Sequence, residues 1–405
     1  MTSRSLRGLN WLNLLVALMQ TGFGAFLSVY LTTHGWTGAE IGFALSVSAM
    51  AAMATQIPGG LLVDAVANKR LAAGVAILVV AAAALLIGLF PTHRLVLVAA
   101  VLQGAASCVL GPSIAAITLA LSHKDVLGER FGHNVRFAAL GSVVAAAAMG
   151  AIGTWFSHRA TLIVAAAAGL AATAALAAIR PEDLASAAGR TDHRAAPPRH
   201  ARPDPDRRWH VASDPCLLLF GVCLALFYLG NAALLPLAAN AIARTGWRGT
   251  GLVVAAAVIV PQLIAAALSP RIGKLAQAHG RRVVLFAGFA AMTARALLMA
   301  TGGDPWLMIG FQALDGISAA VVGVLIPLIV ADITHHRGRF NLAMGIVGLF
   351  MGVGAALSTA LAGAIADRFG DAAAFITLAA AGALASIMVW TVLPETRHRP
   401  QSLPA

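Results

Sequence analysis

The sequence predicts an all-α membrane protein of twelve transmembrane helices, arranged as two pseudo-symmetric six-helix bundles. Two observations carry this: an internal duplication and a composition suited to lipid. Gly35-Trp36 returns as Gly246-Trp247, 211 residues on, and an amide sits fifteen residues before each pair, Gln20 and Asn231. Gly60-x-Leu62-x-Asp64 reappears 213 residues later as Gly273-x-Leu275-x-Gln277, and the Lys69-Arg70 that follows is matched at 212 by Arg281-Arg282. Gln103-Gly104 and Gly111 return at 212 as Asp315-Gly316 and Gly323. Parallel repeats of this kind are a common plan for secondary transporters. The chain is 59% apolar and only 11% charged, far below the roughly 25% charge of soluble domains.

Twelve apolar runs of about twenty residues or more follow in order: 11–33, 38–63, 71–90, 95–121, 134–156, 160–180, 215–243, 249–272, 283–302, 305–331, 341–366 and 371–393. As a helix each spans about 30 Å of hydrocarbon. The first follows Arg4 and Arg7 but lacks a small-residue cleavage site, so it reads as a spanning helix and not as a removable signal. Residues 181–212 are polar and rich in Arg, Asp and Pro, the composition of a mobile linker. The predicted organisation is therefore an N-terminal bundle (1–183), a cytoplasmic linker (184–212) and a C-terminal bundle (213–405).

Basic residues set the orientation. Of 28 Lys and Arg, five (Arg94, Arg159, Arg244, Arg248, Arg368) fall in loops on one side and Arg295 falls within a span; the remaining 22 lie on the other side. The positive-inside rule places that side, with both termini, in the cytoplasm. The +12 charge is thus explained by topology and anionic lipid headgroups, and nucleic acid is not an expected partner. The three cysteines, Cys108, Cys216 and Cys223, have no metal-ligand spacing, and the histidines fall in loops or at helix ends. There is no phosphate-binding loop, and no nucleophile, base or metal cluster that would indicate an enzyme. No cofactor or metal is expected, nor is an oligomer required.

The repeated turn resembles the signature between helices two and three of the major facilitator superfamily, Gly-x-Leu-Ala-Asp-x-x-Gly-Arg-Arg/Lys. Here Ala67 and Asn68 replace Gly and Arg in the first copy, and Gln277 replaces Asp in the second. With the duplication and twelve spans, the resemblance covers the whole chain. It implies a secondary carrier whose bundles are latched on the cytoplasmic side by Gly60, Asp64, Lys69, Arg70, Gly273, Arg281, Arg282 and Asp332. Asp64 is expected to meet the N-terminus of helix eleven, where the helix dipole favours an anion. Two signatures of the superfamily's drug–proton antiporters survive only in part. Ala100 stands where helix four should carry Arg, and Gly141, Gly150 and Gly153 remain on helix five without a Gly-Pro.

The resemblance also implies a substrate path lined by helices one, four, seven and ten. Polar residues in apolar spans tend to mark such paths. The expected substrate contacts are Gln20, Phe23 and Phe26 on helix one, Gln103 on helix four, Phe227, Tyr228 and Asn231 on helix seven, and Gln312 on helix ten. The alternative for each amide is a bond between helices. Asp315 is the deepest carboxylate, and Arg295 is the one cation assigned to a span. Asp315 is read as a proton carrier, a structural partner of Arg295, or a contact for a cationic substrate. The function expected is proton-coupled efflux of an amphipathic neutral or weakly cationic compound across the bacterial inner membrane. Transport of a specific metabolite, or a non-transporting sensor or scaffold, are the alternatives.

Overall fold

In the computed structural model, residues 3–184, 209–244, 250–302, 305–335 and 339–397 are described; they are helical with short connections and contain no strand. The first half holds α1 (Ser3–Thr21, then a π-helical turn Gly22–Phe26, then Leu27–Thr33), α2 (Gly38–Ala65), α3 (Lys69–Leu89), α4 (His93–Ala120), α5 (Leu127–Trp155) and α6 (His158–Ala177). The second holds α7 (Pro215–Asn231, resuming as Leu234–Arg244), α8 (Thr250–His279), α9 (Arg281–Ala300), α10 (Pro305–Thr334), α11 (Phe340–Phe369) and α12 (Asp371–Thr391). Eleven of these helices are long and apolar enough to cross a membrane. The remaining one, α1, carries Arg4 and Arg7 in its first turns and is interrupted by the π turn. Gly246-Trp247 and most of the predicted linker, residues 185–208, lie outside the described residues.

Local sequence explains the helix starts. Thr37 and Glu40 form a reciprocal capping box on α2, and Asn68 accepts from the N–H groups of Arg70 and Leu71 on α3. Asp214 caps α7, with Pro215 at the first helical position, where its missing N–H costs nothing. Each such cap contributes about 0.5–2 kcal/mol.

The duplication is visible in the packing. In the first half α1 packs on α5 and α6, and α3 and α2 pack on α4; in the second, α7 packs on α11 and α12, and α9 and α8 pack on α10. Close approaches repeat too. A Cβ on Gly104 would strike the carbonyl of Ser48, and one on Gly316 that of Pro261; Gly141 meets Leu14 as Gly354 meets Ala225. Two apolar cores result: one within the first half, built on residues such as Leu12, Ile77 and Leu162, and one built on Phe220, Phe289 and Phe375 of the second half that extends to Leu127 and Phe131 of the first.

One departure from regular helix is itself duplicated. The α-helix gives way just after Gln20 in α1, into the π turn, and just after Asn231 in α7, at Ala232. The freed N–H of Ala233 is taken by the Ser358 hydroxyl at 3.0 Å. The repeated amides therefore stand at matching breaks in the first helix of each half. The sequence placed the start of helix five at 134; α5 instead begins at Leu127, because its charged first turns are partnered across the protein.

Candidate functional site: a cavity between the halves

A cavity of about 550 Å³ lies between the halves. The first half contributes Asn13 (α1), Gln56 (α2), Ser107 (α4) and Asn134 (α5) to its polar wall; the second contributes Tyr228 and Asn231 (α7) and Asp315 (α10). Phe131, Phe227, Met344 and Met351 supply much of the apolar surface. Asp315 is the single charged side chain among the described residues on this wall.

Behind it stands Arg295, on α9, only 1% exposed. Its guanidinium pairs with the Asp315 carboxylate, donates to Gln312 Oε1 at 3.1 Å and to Asn231 Oδ1 at 2.7 Å. Gln312 and Asp315 are three residues apart, so one face of α10 presents both acceptors to α9. Arg295 is thus turned inward, and its stem does not snorkel towards a membrane surface. Its Nε is buried without a hydrogen-bond partner.

The expected substrate contacts divide into two groups. Phe227, Tyr228 and Asn231 line the cavity together with Asp315. Gln20, Phe23, Phe26, Gln103 and Gln312 are not on its wall. Phe23 and Phe26 pack into or against the core of the first half, and Gln312 lies 1% exposed behind the wall with Arg295. Gln103 accepts from the Ser48 hydroxyl at 2.6 Å and donates to Ser107 at 3.2 Å, tying α4 to α2. Asn13, Gln56 and Asn134 were not anticipated as wall residues. Their signal was available: each is a polar side chain within a spanning helix. Asn134 donates to Thr118 at 2.7 Å and accepts from Arg130, which also donates to Asn10. Replacing Gln103 by Leu is expected to lower stability by about 1 kcal/mol, the scale of one interhelical bond in a membrane, and to leave ligand affinity unchanged; a thermal melt and a binding isotherm separate the two.

One face of the protein carries Ser3, at the start of α1, and Arg397 together with the adjoining ends of α2 and α3, α4 and α5, α8 and α9, and α10 and α11; we call it the terminal face. The two halves meet in its vicinity. Gly60 lets α2 approach α11 so closely that a Cβ would collide with the Asn341 carbonyl. One turn on, Asp64 accepts from the backbone N–H of Asn341 (3.2 Å), that of Leu342 (2.9 Å) and the Asn341 side-chain amide (2.8 Å). Arg339, the N-cap of α11, has a left-handed backbone (φ 64) and makes no side-chain cap bond, so Asp64 caps this helix from the other half. The pseudo-symmetric contact joins α8 to α5. Gly273 packs against the Gly128 carbonyl, Lys274 pairs with Glu129 at 3.1 Å, and Gln277 donates to the Lys124 carbonyl at 3.0 Å. Gln277 thus keeps a hydrogen bond where the first copy of the motif has a carboxylate.

Lys69, Arg70, Arg281 and Arg282, expected to help latch the bundles, instead find partners within their own halves. Lys69 donates to the carbonyls of Val63, Asp64 (3.3 Å) and Val66 (2.7 Å), closing the end of α2, and Arg70 reaches the Ala177 carbonyl of α6 at 3.4 Å. Arg281 pairs with Asp332 at 3.0 Å, and the Arg282 guanidinium lies 5.6 Å from the Trp390 ring centre. Glu395, unforeseen from the sequence, accepts from the backbone N–H groups of Arg281 (2.8 Å) and Arg282 (3.1 Å), capping α9 just after Gly280 takes a φ of 100 that side chains avoid.

Two helical halves around a shared cavity, joined near one face, define a membrane transporter of the two-bundle type. Comparison with known proteins agrees. The family model described as Major Facilitator Superfamily matches residues 9–238 and 220–405, and the chain belongs to that family. It is 35% identical over 398 residues to an uncharacterized MFS-type transporter of Mycobacterium tuberculosis, covering 97% of this chain and 94% of the relative. Shorter matches are to an MFS-type efflux transporter of Aspergillus flavipes (30% identical; 27% of this chain, 20% of the relative) and a multi-drug resistance efflux pump homolog of Lactococcus lactis (26%; 32% and 31%). The chain is a multi-pass membrane protein.

Proposed function

We propose that this protein is a proton-coupled exporter of an amphipathic small molecule, working by alternating access. The observation that carries the reading is the cavity walled by both halves, with glycine-mediated contacts joining the halves near the terminal face. The basic residues favour a cytoplasmic terminal face in the bacterial inner membrane. The cavity then faces outward in this state, and rocking of the halves about it would expose it to the cytoplasm. Gln20 and Asn231, at the matching helix breaks, sit where α1 and α7 can bend. Efflux is favoured by the similarity to the Aspergillus efflux transporter and the Lactococcus efflux pump homolog.

Coupling is assigned to Asp315. A proton bound there removes one half of the ion pair, and Asn231 and Gln312 remain to hold Arg295 in place. Substrate and proton then compete at adjoining positions of one wall. Purified protein in proteoliposomes is expected to move a confirmed substrate against its gradient when the opposite compartment is acidified. Flux that ignores every imposed pH gradient would remove the coupling, and absence of flux for any bound ligand would remove the carrier.

A further inference from the structure

The wall's charges point to the kind of substrate it takes, an inference that rests on the carrier reading above. Asp315 is the single charged group on the wall among the described residues, and Arg295 pairs with it. With Asp315 ionised the pair sums to zero; with a proton on Asp315 the pair carries the positive charge of Arg295. Neither state offers net negative charge. The other polar groups on the wall are the amides of Asn13, Gln56, Asn134 and Asn231 and the hydroxyls of Ser107 and Tyr228. Each of these both donates and accepts hydrogen bonds without charge. They stand on both halves, so one ligand can touch each half at once.

We propose that Arg295 is a specificity-determining residue that makes this cavity select uncharged, hydrogen-bonding amphipathic compounds and reject permanent cations. Arg295 does so without reaching the cavity wall, by cancelling the one carboxylate that would draw cations in. The aromatic rings of Phe131, Phe227 and Tyr228 would otherwise make a site hospitable to a lipophilic cation. Removing the arginine charge should therefore invert the preference, and removing the carboxylate should make the site attract anions.

Three probes of similar shape read this directly: tetraphenylphosphonium, tetraphenylborate and the neutral acceptor triphenylphosphine oxide. Binding is measured by equilibrium dialysis on purified full-length protein in detergent, with size exclusion and a thermal melt confirming folding. The wild type is expected to hold the neutral probe at least about tenfold more tightly than the cation. Arg295→Gln, which keeps an amide for Asn231 and Gln312, should gain about tenfold or more for the cation, and Asp315→Asn a similar factor for the borate, the scale of one poorly screened charge contact. Cation binding by the wild type equal to or tighter than neutral binding overturns the proposal. So does a folded Arg295→Gln with no gain for the cation. If Arg295→Gln does not fold, the Asp315→Asn arm decides, and an unchanged borate affinity there overturns it. Because binding needs no turnover, this charge ranking without any flux in proteoliposomes would sink the carrier reading alone.

Discussion

Alanine at both Gly60 and Gly273 is expected to open the terminal face and shift the resting state towards one in which the cavity is reached from that side. At Gly60 the new methyl group would occupy the space of the Asn341 carbonyl, and at Gly273 that of the Gly128 carbonyl. Both obstacles are backbone, which cannot rotate away as a side chain can. Relief requires α2 to move from α11 and α8 from α5. That separation also lengthens the bonds from Asn341 and Leu342 to Asp64 and the Lys274–Glu129 pair. Overpacking of this kind costs about 1–3 kcal/mol per site. The closed-face population should therefore fall by about tenfold or more. Spin-label distances between the halves at that face would show it, and alanine at Gly150, where a Cβ meets nothing within 4 Å, is the matched control.

The second large effect concerns the buried pair. Arg295→Ala removes three bonds at once and leaves Asp315, Asn231 and Gln312 without their shared donor. Loss of one partner of a buried pair costs about 3–5 kcal/mol, whereas replacing both by apolar groups of similar size is often nearly neutral. A single Arg295→Ala variant should thus melt far below the wild type. The double variant Arg295→Met with Asp315→Leu should recover most of the stability while losing proton-driven flux. Melting curves of the singles and the double, read as a cycle, check the first statement, and proteoliposome assays the second. A double variant as unstable as the single would mean that the amides, not the ion pair, dominate the energetics of this cluster.

What the sequence revealed, and what it hid, follows from what linear order contains. The duplication foretold equivalent packing, and it held down to single contacts: Gly141 with Leu14 and Gly354 with Ala225 are the same approach in two copies. The motif likewise foretold that Asp64 would meet the start of α11, because a carboxylate and a helix N-terminus attract wherever geometry allows. Direction around a helix was the harder quantity. Gln103 and Ser107 are one turn apart on α4 and face similar directions, yet Ser107 lines the cavity and Gln103 is taken by Ser48. Counting residues from a span's end gives depth, and only the neighbouring helix decides which face is free. The first turns of α5 misled for another reason. Glu129, Arg130 and His133 look like loop residues, but Lys274 and Asn10 supply partners that no local pattern announces. The π turn of α1 was hidden as well, since Gly22 and Gly24 permit it without requiring it.

One measurement reaches the central claim most directly. Ala319, on the cavity wall and exposed to it, can be made the sole thiol by Ala319→Cys with Cys108, Cys216 and Cys223 replaced by Ser. The protein is embedded in sealed vesicles and treated with an impermeant maleimide from either side. With the latch glycines intact, labelling should come from the side opposite the terminal face; with alanine at Gly60 and Gly273, it should come from the terminal side. A thiol labelled from the same side in both proteins, or from neither side in either, would contradict a cavity that opens alternately between the two halves.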